Sequence, residues 1–441
     1  MILRDPVHGL IDFEGRDEKT IETLLHAKEV QRLRRVRQLG LTSLVFPGAE
    51  HSRFSHALGA AHIMVRLQDR LAGVSDQLPA DQRIDAQARQ EAIAAAFLHD
   101  LGHGPFSHLF EQVAPGARHH EEWTRDVLVD PSTEVHRALE SLAAGAAARV
   151  AALLSGEHEI DYLPRLVSGK WDVDRADYLL RDSHMTGVRY GLYDLDWLLR
   201  SFSFGLHEPS GEWVLAVEGR KGLPPIEAFF LGRNFMYQQV YHHKATRAAE
   251  TLIRGLLARL SELVQDGTIP EQTPAALTSA ARGDSVTLSD YFDLDDSTML
   301  SAIAAWSRGG DPMLAQLAGD LLARRLPKTL PLPDDENVWA LVHARVQEIA
   351  EAEGGVAPML VHLDVARDVP YDEPEEGPGG LFVDIRHRDL QRLGDASFLL
   401  QQLRGKVVRR PRLVFPRRLR DKIQDAAGEL LDGRAGAAQM G

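Results

Sequence analysis

The stretch FLHDLGHGPFSHLFE, residues 97–111, is the part of the chain that predicts its fold and its chemistry. An alanine-rich apolar run, residues 92–97, predicts a buried helix that ends in adjacent His99 and Asp100. His103 and His108 follow within the next turns. An imidazole beside a carboxylate in a buried helix is costly unless the pair is hydrogen bonded or binds something. Three histidines and an aspartate so close together favour a metal site over a hydrogen-bonded core pair.

The composition is that of an ordinary globular protein. The chain has 441 residues, of which 44% are hydrophobic and 26% are charged. No apolar run approaches the roughly 20 residues that a bilayer span needs, and the first residues lack the apolar region of a secretory signal. We therefore expect a cytoplasmic protein that has no membrane partner.

Cysteine content and charge exclude several classes of function. The chain has no cysteine, so disulfides, thiolate zinc sites and thiol catalysis are excluded, and any metal must bind His and carboxylate ligands. The formal charge of −14 argues against broad binding to nucleic acid. The basic segment 404–420 keeps nucleic acid possible as a partner, although it is not expected.

Periodicity predicts a mainly helical chain. Apolar residues at 30, 33, 36 and 39 have helical spacing and predict a helix from Ala27 that Gly40 ends. A second apolar helix opens near His56. Alternating residues in 201–219 predict a β-hairpin, and short apolar segments in 355–441 predict a mixed C-terminal lobe.

Four candidate metal ligands lie in three separate predicted helices, one of which supplies the adjacent pair His99 and Asp100. They are His56, His99, Asp100 and Asp174. Imidazole and carboxylate ligands together suit a divalent transition metal, namely Mn, Fe, Zn or Ni. Such a site keeps open positions for a water molecule and for a substrate oxygen.

The H…HD…D order of these ligands resembles the HD-domain metal-dependent phosphohydrolases. The surrounding motifs resemble one subfamily, the deoxynucleoside triphosphate (dNTP) triphosphohydrolases, which includes the vertebrate enzyme with SAM and HD domains and its bacterial relatives. The motifs are QRLRRVRQLG at 31–40, VFPGAEHSRFSHALG at 45–59, HDLGHGPFSH at 99–108, DVDRADYLLRD at 172–182 and YHHK at 241–244. The resemblance extends from about residue 4 to about residue 253.

This resemblance implies a particular architecture. We expect an all-helical HD-domain core at residues 1–265 with a small β-hairpin element. Residues 266–441 would form a helical and mixed α/β C-terminal region that serves regulation or oligomerisation. Members of the family assemble, so we expect a homo-oligomer, either a dimer or a tetramer.

The resemblance also implies the reaction and the roles of residues. The reaction is hydrolysis of dNTPs to deoxynucleoside and inorganic triphosphate by attack of metal-activated water on the α-phosphate, with Mg accompanying the triphosphate. The implied catalytic residues are His120, with Glu111 as its acidic partner, His103 facing the α-phosphate, and His108 as a rival general acid. The residues implied to bind the triphosphate are Arg53, Arg175, Tyr241, His243 and Lys244. Those implied to bind the deoxyribose are Gln38, Tyr178 and Asp182, with Tyr178 excluding a 2′-hydroxyl.

An allosteric nucleotide is a possible further partner. In the vertebrate enzyme an aspartate near the N-terminus reads an activating guanine nucleotide, and the matching position here is His26. Gln31 and Arg34 match other residues of that site. The departures at His26 and at two further positions of that site, Arg4 and Leu10, argue against guanine-nucleotide activation of that kind and leave regulation by another dNTP, or by none, open.

Two alternative functions also remain. The same metal ligands could serve an HD phosphohydrolase that acts on nucleoside monophosphates, guanosine tetraphosphate or single-stranded nucleic acid ends. A non-catalytic nucleotide-sensing or nucleic-acid-binding protein is an alternative of another class, but it would predict a damaged ligand set, and all four ligands are present.

Overall fold

The computed structural model describes residues 1–113, 118–353, 360–374, 376–385 and 390–438. These residues are mainly helical with small sheets, which confirms the predicted fold class. The helices up to residue 265 are α1 (Gly15–Leu25), α2 (Lys28–Arg32), α3 (Arg53–Ala72), α4 (Ala86–Leu98), α5 (His108–Val113), α6 (His120–Val129), α7 (Glu134–Leu142), α8 (Ala146–Leu154), α9 (Leu163–Val167), α10 (Val173–Thr186), α11 (Leu195–Ser201), α12 (Gly219–Met236) and α13 (Lys244–Gln265). The later helices are α14 (Ala275–Arg282), α15 (Leu288–Phe292), α16 (Asp296–Trp306), α17 (Pro312–Leu322), α18 (Glu336–Ala352), α19 (Leu393–Ala396), α20 (Phe398–Leu403) and α21 (Arg420–Ala438). Among the described residues, no helix is both long and apolar enough to cross a membrane.

Helix α3 forms the centre of the N-terminal core and packs against α4 and α10. Alanines at these contacts, such as Ala60 on α3 and Ala95 on α4, are fully buried. Their small side chains let the helices approach closely. His56 lies on α3, Asp174 lies on α10, and His99 and Asp100 directly follow α4, so the packing of the three helices sets the geometry of the site.

Capping residues fix where two of these helices begin. The Asp85 side chain accepts hydrogen bonds from the backbone N–H groups of Gln87 and Ala88 at the start of α4. The Asp172 side chain accepts from the backbone N–H of Arg175 at the start of α10. A capping side chain of this kind stabilises a helix by about 1 kcal/mol. The Asp172 cap therefore helps to hold the end of α10 that carries Asp174, whereas the Asp85 cap lies at the end of α4 opposite to His99.

The predicted hairpin is present and belongs to a larger sheet. Strands β3 (Phe202–His207) and β4 (Glu212–Glu218) are antiparallel, with Phe202 opposite Val217. Strand β7 (Phe382–Asp384) pairs in parallel with β4, and β8 (Leu390–Arg392) pairs with β7. A short separate hairpin, β1 (Ile2–Asp5) with β2 (Gly9–Asp12), opens the chain.

The C-terminal lobe is mixed, as expected. Strands β5 (Lys328–Pro331), β9 (Val408–Phe415) and β6 (His362–Asp368) form a three-stranded antiparallel sheet in that order. Helices α18 and α21 share an apolar cluster with this sheet, in which Val342 and Leu413 are fully buried.

The helix predicted from Ala27 to Gly40 is wrong in its second half. Helix α2 ends at Arg32, and a 3-10 turn, Leu33–Arg35, follows. Val36 is then extended, because its carbonyl accepts a hydrogen bond from the backbone N–H of Arg53. This hydrogen bond to the neighbouring segment outweighs the helical tendency that the apolar spacing indicates. The extended backbone then brings Gln38 to the central cavity described below.

Gly59 on α3 lies directly against α10. A Cβ atom there would lie 1.8 Å from Asp177 Oδ1 and 2.4 Å from an Arg181 Nη atom. Gly319 on α17 is a contrasting helical glycine, because its Cβ would meet only Arg325 Nη2 at 3.6 Å.

We therefore expect opposite effects of alanine at these two glycines. Gly59→Ala should lower the free energy of unfolding by about 1–3 kcal/mol or more, because a buried ion pair must move. Gly319→Ala should be neutral or stabilising by up to about 1 kcal/mol, because alanine favours helix. Chemical denaturation of both variants measures the difference. Equal effects at the two positions would contradict the close packing of α3 on α10.

Candidate metal centre and cavity

Three of the predicted ligands converge from three helices. His56 Nε2 lies 3.0 Å from Asp174 Oδ1 and 3.3 Å from His99 Nε2. His99 Nε2 lies 3.5 Å from the same Asp174 oxygen. One ligand atom from each residue lies within 4.8 Å of the others, which is the arrangement that a metal ion needs.

Asp100 lies beside this group. Its Oδ2 atom is 3.7 Å from His56 Nε2, and its Oδ1 atom is 3.5 Å from His99 Nε2. The guanidinium of Arg53 also donates a hydrogen bond to Asp100 and another to Ser107. Asp100 is therefore shared between the candidate metal centre and a buried arginine.

Hydrogen bonds orient both imidazoles so that Nε2 faces the centre. His56 Nδ1 lies 2.8 Å from Asp177 Oδ2, and His99 Nδ1 lies 2.9 Å from the Ala96 carbonyl. In each ring Nδ1 donates its proton to an oxygen atom, which leaves Nε2 as the nitrogen that can bind a metal. Partners of this kind fix the tautomer of a histidine ligand.

Asp177 is a functional residue that the sequence interpretation missed. Its carboxylate is fully buried and also accepts from Arg181 Nε at 2.7 Å, while His8 Nε2 lies 2.6 Å away. Asp5 accepts from Arg181 Nη1 at 2.7 Å, which ties the N-terminal hairpin to the same network. The spacing of Asp177 three residues after Asp174 was a signal, because it places both carboxylates on one face of α10.

The charges of the group fit a cation. Burial lowers the pKa of His56, but the carboxylates of Asp174 and Asp177 outweigh it and raise that pKa to about 10. Burial raises the pKa of Asp174, but hydrogen bonds with His56 and His99 hold it well below its usual value. In the metal-free chain a proton therefore occupies His56 at neutral pH, and a metal ion that binds there must displace it.

A second group of side chains lies next to the first. His120 Nδ1 is 2.9 Å from Glu111 Oε1, and the rings of His103 and His120 have centroids 3.7 Å apart. Burial and the charge of Arg53 hold the pKa of His103 well below its usual range, so this ring is neutral near pH 7. His120 thus lies closer to Glu111 than His119 does, which is half exposed and 3.5 Å from Glu111, and the catalytic roles of these residues stay predictions.

Both groups adjoin one cavity of about 660 Å³. The predicted site residues that line it are Gln38, Arg53, His99, Asp100, His103, His108, His120, Asp174, Tyr178, Asp182 and Tyr241. Tyr241 donates a hydrogen bond to Asp182 Oδ2 at 2.8 Å, and His51 Nε2 lies 2.8 Å from the other oxygen. Gln38 Oε1 is buried without a hydrogen-bond partner, which suits a ligand in the cavity.

Three predicted phosphate-binding residues do not line the cavity. Arg175 donates to Asp172 and to the Gly169 carbonyl. His243 caps helix α13, where its Nδ1 accepts from the backbone N–H of Ala245 at 3.3 Å, and Lys244 is exposed at the first position of that helix. Their roles stay predictions.

Other cavity-lining residues were not predicted from the sequence. Tyr237 comes from the π-helical turn Tyr237–Tyr241 between α12 and α13, a type of distortion that is frequent at functional sites. Arg247 and Glu250 line the cavity from α13 and pair with each other at 2.6 Å. Arg247 also pairs with Asp364 of β6, so the C-terminal lobe contacts a residue of the cavity wall.

Comparison with known proteins identifies the family. The HD domain family matches residues 53–182, which include all four predicted ligands. The chain is 33% identical to the uncharacterised protein YwfO of Bacillus subtilis over 95% of this chain and 92% of that protein. A phosphohydrolase from Bacteroides thetaiotaomicron has a similar structure, with a TM-score of 0.79, 27% identity, and coverage of 95% of this chain and 100% of that one.

A similarity to proteins named as deoxynucleoside triphosphate triphosphohydrolases covers only part of their length. The deoxynucleoside triphosphate triphosphohydrolase SAMHD1 homolog of Dictyostelium discoideum is 33% identical over 57% of this chain and 48% of that protein. The match thus spans about half of that relative. The chain belongs to the family of HD-domain phosphohydrolases that resemble the dNTP triphosphohydrolases.

Asp177 offers a test of the metal centre that leaves every ligand in place. Asp177→Asn should weaken binding of Mn²⁺ by about 10–100-fold, because His56 loses a charged acceptor at Nδ1. Isothermal titration of the metal-free protein with Mn²⁺ measures the affinity. Asp196→Asn is the matched control, because Asp196 is exposed and pairs with Arg66. An unchanged affinity in Asp177→Asn would contradict the role of this hydrogen bond.

Proposed function

We propose that the protein hydrolyses dNTPs to a deoxynucleoside and inorganic triphosphate. The observation that carries the proposal is that one cavity is lined by His99, Asp100 and Asp174 of the metal group, by the His103–His120 pair, and by Tyr178 with Asp182. The similarity to SAMHD1-type triphosphohydrolases supports this substrate class.

His56, His99, Asp100 and Asp174 would hold a divalent transition metal, one of Mn, Fe, Zn or Ni. The donor set fits such an ion, because two imidazole nitrogens and a carboxylate oxygen converge within 3.5 Å of one another. When bound, the ion supplies Lewis acidity that polarises the phosphoryl group and lowers the pKa of water.

His120 would protonate the leaving 5′-oxygen. Burial raises the pKa of Glu111, but the hydrogen bond with His120 and the positive charge of that ring lower it below its usual value, so Glu111 is an anion. An anionic acceptor at Nδ1 holds the His120 ring in place, leaving Nε2 to deliver the proton. His108 is more exposed and lies 3.8 Å from Glu111, so it is the secondary candidate.

His103 and Arg53 would contact the α-phosphate. Both side chains are buried beside Asp100 and line the cavity. The guanidinium supplies positive charge and paired donors to phosphate oxygens. Neutral His103 can donate one hydrogen bond without adding charge. Mg²⁺ would accompany the rest of the triphosphate, with Arg175, His243 and Lys244 as further predicted contacts.

Tyr178 and Asp182 would select the deoxyribose. Asp182 is held by Tyr241 and His51, so its carboxylate has a fixed position from which to accept a hydrogen bond from the 3′-hydroxyl. The Tyr178 ring lies 6.5 Å from that of His56, between the metal group and Tyr241. A ring packed under the sugar leaves no room for a 2′-hydroxyl.

A nucleoside monophosphate is the second candidate substrate. One specific observation favours it: of the side chains expected to bind the triphosphate through positive charge, Arg53 lines the cavity, whereas Arg175 is paired with Asp172 and Lys244 is exposed. A monophosphate has a single phosphate group, so it would need positive charge from the protein only at the α-phosphate.

An assay of product identity distinguishes these candidates. With Mn²⁺ or Mg²⁺ present, the protein should release inorganic triphosphate and deoxynucleoside from dNTPs, and it should act less well on ribonucleotides. Anion-exchange chromatography of reactions with all four dNTPs, with ribonucleoside triphosphates and with deoxynucleoside monophosphates measures the products.

The controls are variants of the metal group and of the surface. Asp174→Ala should abolish turnover, because it removes a ligand that faces both histidines. Asp196→Asn should leave it unchanged. Release of pyrophosphate or orthophosphate from dNTPs would contradict the proposal, and turnover of monophosphates alone would favour the second candidate.

A further inference from the structure

We propose that the chain has a second metal site, which binds Zn²⁺ or a similar divalent ion. Its ligands are His103, His108, Glu111 and His120, and it lies beside the centre on His56, His99 and Asp174. One ligand atom of each of these four residues lies within 4.8 Å of those of the others. No residue is shared between the two groups.

The donor set suits Zn²⁺. Three imidazoles and one carboxylate supply four ligands, which is the coordination number of structural zinc sites. The rings of His103 and His108 have centroids 4.9 Å apart, and those of His108 and His120 are 5.4 Å apart. The Glu111 carboxylate lies between two of the rings, 2.9 Å from His120 Nδ1 and 3.8 Å from His108 Nδ1.

A buried and unpartnered histidine independently indicates a ligand at this place. His103 is only 1% exposed, and neither of its ring nitrogens makes a hydrogen bond, although Asp100 Oδ1 lies 3.3 Å from Nδ1. Buried polar atoms in native proteins almost always have partners. A metal ion bound to one of these nitrogens would satisfy it directly.

The two sites adjoin through Asp100. Its Oδ1 atom lies 3.5 Å from His99 Nε2 in the first group and 3.3 Å from His103 Nδ1 in the second. An ion in the second site would therefore lie next to the reacting phosphate. A nitrogen atom that binds a metal ion cannot also carry a proton. If the ion binds the His120 nitrogen that donates the proton, it would therefore block protonation of the leaving group. This inhibitory consequence rests on the proposed function, whereas the binding of the ion does not.

Metal content and affinity test the site without any assay of turnover. The protein is freed of metal with a chelator and titrated with Zn²⁺, and the bound ions are counted by elemental mass spectrometry. We expect two zinc ions per wild-type chain. His108→Ala and Glu111→Gln should each keep the first ion and bind the second at least about tenfold more weakly. Asp174→Ala should have the opposite effect and retain the second ion.

The variants are chosen so that a loss of zinc binding does not result from a loss of the fold. The His108 side chain is 63% exposed, so its replacement by alanine removes a ligand with little loss of packing. His184→Ala is the matched control, because this exposed histidine lies in the last turn of α10 and outside both groups. Circular dichroism verifies the fold of each variant.

Two results would overturn the second site. One is a single zinc ion in the wild-type chain, and the other is an unchanged second affinity in both His108→Ala and Glu111→Gln. Zinc inhibition of turnover, weakened in His108→Ala, is the further result expected if the proposed function also holds. A failure of the proposed function would leave the zinc count unaffected, so the two failures are distinguishable.

Discussion

The buried carboxylate of Asp177 is the interaction on which the candidate site depends. It accepts from His56 on one side and from Arg181 on the other, while His8 approaches from the N-terminal hairpin. Removing one partner of such a buried charge pair costs about 3–5 kcal/mol, because a charge is left without compensation. The same contacts that stabilise α3 against α10 therefore also aim the His56 ring, so that the fold and the metal geometry have a common cause.

The ligand set could be predicted from the sequence because its signals are local. Adjacent His99 and Asp100 at the end of an apolar helix, with His56 and Asp174 opening other helices, indicate a metal, and the structure brings His56, His99 and Asp174 together with Asp100 beside them. The hairpin of β3 and β4 could be predicted from alternation for the same reason.

What could not be predicted depends on contacts between distant segments. Val36 becomes extended because Arg53 bonds to it, which no spacing within residues 27–40 reveals. Arg247 faces both the cavity and Asp364, a residue more than a hundred positions later. Arg412 of the same lobe donates to the carbonyl of His242, so the cavity wall near the π-helical turn is completed by the C-terminal sheet.

The central claim is that water displaces the 5′-oxygen at the α-phosphorus beside the His56–His99–Asp174 group. Hydrolysis of a dNTP in ¹⁸O-labelled water, followed by mass spectrometry of both products, tests it most directly. The account predicts one ¹⁸O atom in the inorganic triphosphate and none in the deoxynucleoside. Label in the deoxynucleoside, or label in released orthophosphate or pyrophosphate, would contradict it.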